Sequence, residues 1–133
     1  MLTSDHIKQT LDQYLAAINA GDVSAIMALY ADDAAVEDPA GTEPKRGDEI
    51  LELYTNALVG GAKVKLTGPV RISAKAAAFP LRVEIYGAGG QVTIVEDILI
   101  LEFDPAGKVA KMTAHWGPAD MTVKNTLWLE RNG

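Results

Sequence analysis

At Gly60-Gly61 the spacing of apolar residues along this chain changes. Before it they recur every third or fourth position, and after it every second, which are the periods of a helix and of a half-buried strand. A chain of 133 residues is the size of one domain with a real core. Its first half must therefore supply helices, and its second half a sheet for them to cover. Ile7, Leu11, Tyr14, Leu15 and Ile18 mark a first helix, opened by the N-cap candidates Thr3-Ser4-Asp5-His6 and closed by Gly21. Asp22-Val23-Ser24 opens a second helix through Ile26, Met27, Leu29 and Tyr30. A third runs from Asp48 through Ile50, Leu51, Leu53, Tyr54, Ala57 and Leu58. Beyond the glycine pair, Lys63 to Thr67, Val70 to Ile72, Ala76 to Tyr86, Gln91 to Phe103 and Lys108 to Trp116 read as strands. Hairpin turns fall at Gly87-Ala88-Gly89-Gly90 and Asp104-Pro105-Ala106-Gly107. Residues 117–133 are less patterned, with Leu127 and Trp128 available to pack on another element or subunit. The pattern predicts one α+β domain over residues 1–133, three N-terminal helices packed on a curved antiparallel sheet. Such a cone has a pocket at its mouth, lined by the first and third helices and the sheet's inner face.

The stretch from Ala28 to Gly41 links helix to sheet and holds the first candidate for chemistry. It passes through an acidic turn, Ala31-Asp32-Asp33, into a short β-like run, Ala35-Val36-Glu37, and then sets Asp38 directly before Pro39. A residue before proline is driven toward extended geometry, so Asp38 sits where a strand leaves its sheet and can be aimed by it. Ala34, Ala35, Val36, Pro39 and Ala40 make its surroundings small and apolar. Turned inward, the carboxylate is partly desolvated and basic enough to take a proton from carbon. Turned outward, it only opens a turn and stays solvated. Tyr14 faces a similar choice. It lies on the buried stripe of the first helix, either as a core residue bonded to a neighbour or with its hydroxyl donating into a cavity.

Composition excludes several classes. A net charge of −6 with scattered basic residues offers no surface for a phosphate backbone, so no nucleic-acid partner is expected. With no cysteine, disulfides, thiolate metal sites and cysteine nucleophiles are excluded together. Residues 1–20 carry polar and charged groups throughout and no window approaches the roughly 20 apolar residues of a membrane span. The expectation is a cytoplasmic protein with no membrane partner.

Several pieces, taken in order, resemble the bacterial ketosteroid isomerases within the superfamily of nuclear transport factor 2-like domains. They are Gln13-Tyr14-Leu15, Asn19-Ala20-Gly21-Asp22, Leu29-Tyr30-Ala31-Asp32-Asp33-Ala34, Val36-Glu37-Asp38-Pro39 and Leu53-Tyr54. Leu66-Thr67-Gly68-Pro69-Val70-Arg71, Phe79-Pro80-Leu81-Arg82-Val83-Glu84, Phe103-Asp104 and Ala106-Gly107-Lys108-Val109 continue the series over about the first 116 residues. Ketosteroid isomerases are themselves the reference case of an aspartate base facing an oxyanion hole made by a tyrosine and a protonated aspartic acid. The resemblance implies that Asp38 is the general base, that Tyr14 donates to the carbonyl oxygen as it becomes an enolate, and that Tyr30 and Tyr54 support Tyr14. It implies that Leu81 and Trp116 line a pocket for a steroid-like ketone, with no metal and no organic cofactor. It also implies a homodimer packed through the outer face of the sheet, where Val92, Ile94, Ile98 and Ile100 need cover.

The chain departs from the family pattern in the oxyanion hole. The protonated aspartic acid of the isomerases lies four residues before the phenylalanine matching Phe103, and Leu99 stands there. Asp97 is two residues earlier on the same face, and reaching the family's position requires a bulge or a register shift of roughly 7 Å. The expectation is that Leu99 occupies the pocket and the hole has one strong donor, with Asp97 a possible pocket acid or an edge charge beside Glu96. Losing one such donor typically costs a hundredfold to a thousandfold in rate, which leaves a competent enzyme. His115, opposite in alternation to Trp116, reads as structural, and His6 as solvated. The leading reading is a steroid delta-isomerase. The alternatives are a polyketide cyclase or hydratase on the same cone, invited by Leu99, and a non-catalytic module for an apolar ligand.

Overall fold

The computed structural model describes residues 2–125; Leu127 and Trp128 lie outside them. The first helix, α1 (Ser4–Ala20), is capped as its ends suggest. The Thr3 hydroxyl accepts from the His6 N–H at 3.1 Å. Gly21, at φ 68°, closes the last turn in the left-handed conformation that glycine adopts without a Cβ penalty. Helix α2 is shorter than its apolar pattern indicates, Val23–Met27. Lys108 reaches back to donate from Nζ to the Ala28 carbonyl at 2.7 Å, and the Val109 N–H takes the Leu29 carbonyl at 2.9 Å. These two bonds end the helix, so Tyr30 opens a strand instead of completing a turn. That strand, β1 (Tyr30–Glu37), includes the segment expected as an acidic turn; Asp32 and Asp33 are exposed within it, where the pairing register slips. Helix α3 spans Asp48–Leu58, with Ile50 and Tyr54 buried.

The remaining strands are β2 (Ala62–Leu66), β3 (Arg71–Ile72), β4 (Ala76–Tyr86), β5 (Gln91–Phe103), β6 (Val109–His115) and β7 (Met121–Asn125). They form one sheet in the order β1-β6-β5-β4-β2, with β3 paired to β4 and β7 to β5. The sheet is mixed where an antiparallel one was expected, because β1 runs parallel to β6. The crossover through α3 and the β2–β5 hairpins between them makes that direction possible. β7 was not expected from the sequence. It continues along the same edge of β5 as β6, so 91–95 of β5 pair with β7 and 98–103 with β6.

α1 lies across the sheet's inner face through Ile7, Leu11, Tyr14 and Ile18, against Phe79, Leu81, Leu99, Leu101 and Met112. Full burial of side chains such as Phe79 and Leu101 is worth about 1.5–3 kcal/mol each. His6 is exposed, as expected, yet tied down: its Nε2 is 2.8 Å from the Gly107 carbonyl and its ring stands edge-on to Phe103. On the outer face Val92 and Ile94 are already buried within the chain, whereas Ile98 remains 50% exposed and Ile100 half-buried. Among the described residues no helix is long and apolar enough to cross a membrane.

Candidate active site

A cavity of about 210 Å³ opens between α1, α3 and the inner face of the sheet. Alternation on three strands supplies its floor: Leu81, Val83 and Ile85 from β4, Thr93, Val95, Asp97 and Leu99 from β5, and Met112 and Ala114 from β6, with Trp116 just beyond. Tyr14 and Ile18 cover it from α1, and Leu53, Tyr54, Ala57 and Leu58 from α3. Apart from one end, the described lining is hydrocarbon except for Thr93.

At that end three tyrosines form a chain. The Tyr14 hydroxyl lies 2.8 Å from that of Tyr54, which lies 2.6 Å from that of Tyr30. The rings of Tyr14 and Tyr54 meet edge to face, with centroids 6.2 Å apart. Tyr54 is therefore the middle member, and Tyr30 acts on Tyr14 only through it. Each hydroxyl carries a single hydrogen. If Tyr30 donates to Tyr54 and Tyr54 to Tyr14, the hydrogen left over is that of Tyr14, the one member of the trio on α1. Burial holds the Tyr14 hydroxyl well above the usual phenol range; the bond from Tyr54 works against this, and the charges of Asp38 and Asp97 reinforce it. Burial raises Tyr30 and Tyr54 as well. All three stay protonated across neutral pH, and a chain of aligned hydroxyls polarises its last donor.

Asp38 stands at the exit of β1, half-buried, and its Oδ1 accepts from Trp116 Nε1 at 2.7 Å. The turn that presents it is anchored on β6. The Ala40 N–H donates to the Ala114 carbonyl at 2.7 Å. Glu37, pointing the other way, accepts from the Gly41 N–H at 3.0 Å and pairs with Lys111 at 3.0 Å. The in-or-out choice left open by the sequence is thus resolved inward, and Trp116 fixes the carboxylate's orientation. His115 is exposed on the opposite face, as alternation predicts.

Asp97 and Leu99 both line the cavity, and β4 and β5 pair without a bulge from Ala76↔Glu102 to Tyr86↔Val92. No register shift is needed to bring Asp97 in. It lies opposite the break between β6 and β7, since Ile98 pairs with His115 and Val95 with Met121. Its Oδ1 is buried and has no hydrogen-bond partner among the described residues. Burial, then the charge of Asp38, with smaller contributions from Glu96 and Asp120, push its carboxyl up to about 7. An acid in that state donates a hydrogen bond at neutral pH and below.

A match to the SnoaL-like domain model spans residues 11–112. The chain belongs to the SnoaL-like domain family. Over 120 residues it is 40% identical to the steroid delta-isomerase of Nocardioides simplex, covering 90% of this chain and 97% of that protein. This places it among enzymes and agrees with the resemblance drawn from its motifs. Its fold is shared with a solved epoxide hydrolase/cyclase-like enzyme, SalBIII, described in pyran ring formation in the polyether salinomycin: TM-score 0.85, 22% identity, covering 93% of this chain and all of that one.

Of the residues singled out in the sequence, the fold brings Tyr14, Tyr54, Asp38, Leu81, Asp97, Leu99 and Trp116 to one SnoaL-like cavity, with Tyr30 behind them. Sequence reasoning missed the bond between Trp116 and Asp38, because 78 positions separate them. It also passed over Thr93, although alternation from Asp97 places it on the same face.

Proposed function

We propose that this protein is a cofactor-independent steroid delta-isomerase, moving a β,γ double bond into conjugation with a 3-ketone. The observation that carries the reading is the convergence of Asp38, Tyr14 and Asp97 on one end of an otherwise apolar cavity. The Asp38 carboxylate removes a proton from the carbon between ketone and alkene. The electron pair released forms a dienolate whose negative charge rests on the former carbonyl oxygen. Tyr14 donates to that oxygen, and Asp97 in its acid form is the second donor, from a position two residues before the one where the isomerases carry theirs. Asp38, now a carboxylic acid, returns the proton to the far carbon of the former alkene, the carbonyl reforms, and base and substrate are restored with no net proton change. Trp116 holds the carboxylate oriented through both transfers.

The test is growth of the conjugated-enone absorbance band when protein is added to a β,γ-unsaturated 3-ketosteroid, with Asp38→Asn in parallel. A positioned general base contributes roughly a hundredfold to ten-thousandfold, and a loss of that size in the variant is expected. Growth no faster than buffer with the wild type would refute the reading.

A second reading is favoured by one observation, the presence of two carboxyl groups, Asp38 and Asp97, in the same cavity. Such an acid–base pair suits a cyclase or hydratase, with Asp97 protonating an oxygen leaving group while Asp38 activates a nucleophile. Turnover of an epoxy-alcohol in place of the enone would select it.

The half-exposed Ile98 and neighbouring Ile100 on the outer face support a homodimer through that sheet. Light scattering should give twice the chain mass, and Ile98→Lys should reduce it to one.

A further inference from the structure

The cavity has a second end. From Asp97, four residues along β5 on the same face lead to Thr93, flanked by Ile85 of β4, which in turn pairs with Ala62 of β2. On α1 the step from Tyr14 to Ile18 moves in the same sense. All the polar groups described above lie at the Tyr14 end. At the other end the described lining consists of Ile18, Leu58, Ala62, Val83 and Ile85, and Thr93 is the single polar side chain among these described residues. Thr93 is half-buried, and its hydroxyl makes no hydrogen bond to any described residue.

A threonine in a strand normally needs no special account, since β-branched residues suit the pleat. Two features here go further. The residue lines the cavity, at a position where a valine would serve as Val83 and Val95 do. Its hydroxyl has no bond to a described residue, so water or a ligand in the cavity is its partner. At ~3.4 Å per residue the separation of Thr93 and Asp97 along the strand is roughly 13 Å. With about 3 Å for each hydrogen bond, taken along that line or across it, a ligand engaged at both ends carries two oxygens roughly 7–13 Å apart.

From this we infer that Thr93 is a specificity residue, donating a hydrogen bond to a second oxygen, ketone or hydroxyl, on the far side of an elongated apolar substrate. The inference rests on the isomerase reading for the orientation of the ligand, with its reacting ketone at Tyr14. It adds a requirement that the hydrocarbon lining alone does not impose. A ligand without the distal oxygen leaves the Thr93 hydroxyl unsatisfied or dependent on water entering beside Met121, which is 37% exposed at the cavity wall. The net worth of one such neutral hydrogen bond is about 0.5–1.5 kcal/mol, or roughly twofold to tenfold in affinity.

The experiment is equilibrium binding, with no turnover needed. Two probes are titrated into the wild type, Thr93→Val and Thr93→Ser: a conjugated steroid enone bearing a ketone on its terminal five-membered ring, and the same enone without that ketone. The wild type should bind the diketone twofold to tenfold more tightly than the monoketone after correction for their partition from water. Thr93→Val should abolish that preference while keeping the fold, judged by circular dichroism, and Thr93→Ser should retain it. An equal ratio in wild type and Thr93→Val would overturn the inference, as would failure to bind either probe. If the preference is present but enone turnover is absent, the isomerase reading fails and the subsite stands. If turnover is present with no preference, the reverse holds.

Discussion

The two polar walls of the cavity differ in how their groups are satisfied. On the helical side, Tyr14, Tyr54 and Tyr30 are buried and bonded to one another, and the chain is complete apart from the outermost hydrogen. On the sheet side, Asp38 has one strong partner in Trp116, and Asp97 buries an oxygen with none among the described residues. A buried polar group without a partner costs about 1–3 kcal/mol. The tyrosine wall thus adds to stability, while the carboxyl wall subtracts from it and is held in place by the paired strands beneath. The fold carries its unsatisfied polar group on the carboxyl wall, while the donor on the helical wall is preorganised within a bonded chain.

Removing the end of the tyrosine chain should have the largest effect on this contrast. Tyr14→Phe keeps the ring packing and leaves the oxyanion with one donor fewer, so turnover should fall roughly a hundredfold to a thousandfold. The fold should survive, because Tyr54 can still bond Tyr30. A steady-state assay on the β,γ-unsaturated ketone measures this. A change of less than threefold would mean that Tyr14 is a core residue whose hydroxyl merely serves Tyr54.

Asp97→Ala comes next and separates the walls by sign. As a donor lost, it should lower turnover by about a hundredfold, the lower end of the same range, because Tyr14 remains. As a buried unsatisfied group removed, it should hold or raise the melting temperature. Tyr14→Phe should not raise it. A variant less stable and equally active would reverse the assignment of strain to this wall.

Much of this was legible in the sequence, for identifiable reasons. The change of period at Gly60-Gly61 and the cap residues Thr3 and Gly21 act locally, and the elements they mark are where they were expected; β4 and β5 match to the residue. What was illegible is non-local. The end of α2 depends on Lys108, 80 positions away, and the parallel pairing of β1 with β6 on contacts that no window of sequence contains. The gap opposite Asp97, between β6 and β7, depends on a strand that was not recognised in the sequence. Alternation alone had put Asp97 and Leu99 on one face, and with no bulge in β5 both reach the cavity.

The two walls also differ in how they respond to pH. The Asp97 carboxyl sits at about 7, raised from 3.8, so the folded state favours its protonated form. Its contribution to stability is full below about pH 4 and is lost progressively as pH rises from there to about 7. Asp97→Asn, neutral throughout, should lack that decline, and the difference in melting temperature between wild type and variant should widen between pH 5 and 7 and level off above. Turnover should show the same limb: as pH climbs through about 7 the wild type loses its second donor, and Asp97→Asn does not. Parallel profiles for the two proteins would mean that Asp97 titrates as an ordinary exposed carboxyl.

The smallest effect should come from the far end of the tyrosine wall. Tyr30 is not in the cavity lining; among the described residues its hydroxyl bonds that of Tyr54. In Tyr30→Phe, Tyr54 can still donate to Tyr14 and loses only the hydrogen bond it accepted, so stability should drop by about 0.5–1.5 kcal/mol. The rate should drop by less than tenfold, through weaker polarisation of Tyr14. Tyr54→Phe breaks the chain in the middle, depriving Tyr14 of its donor and Tyr30 of its acceptor, and should be worse on both counts. Equal losses of rate for the two variants would make the three hydroxyls one cooperative unit, in which Tyr14 has no donor strength of its own. A graded series would make Tyr14 the donor and the other two its support.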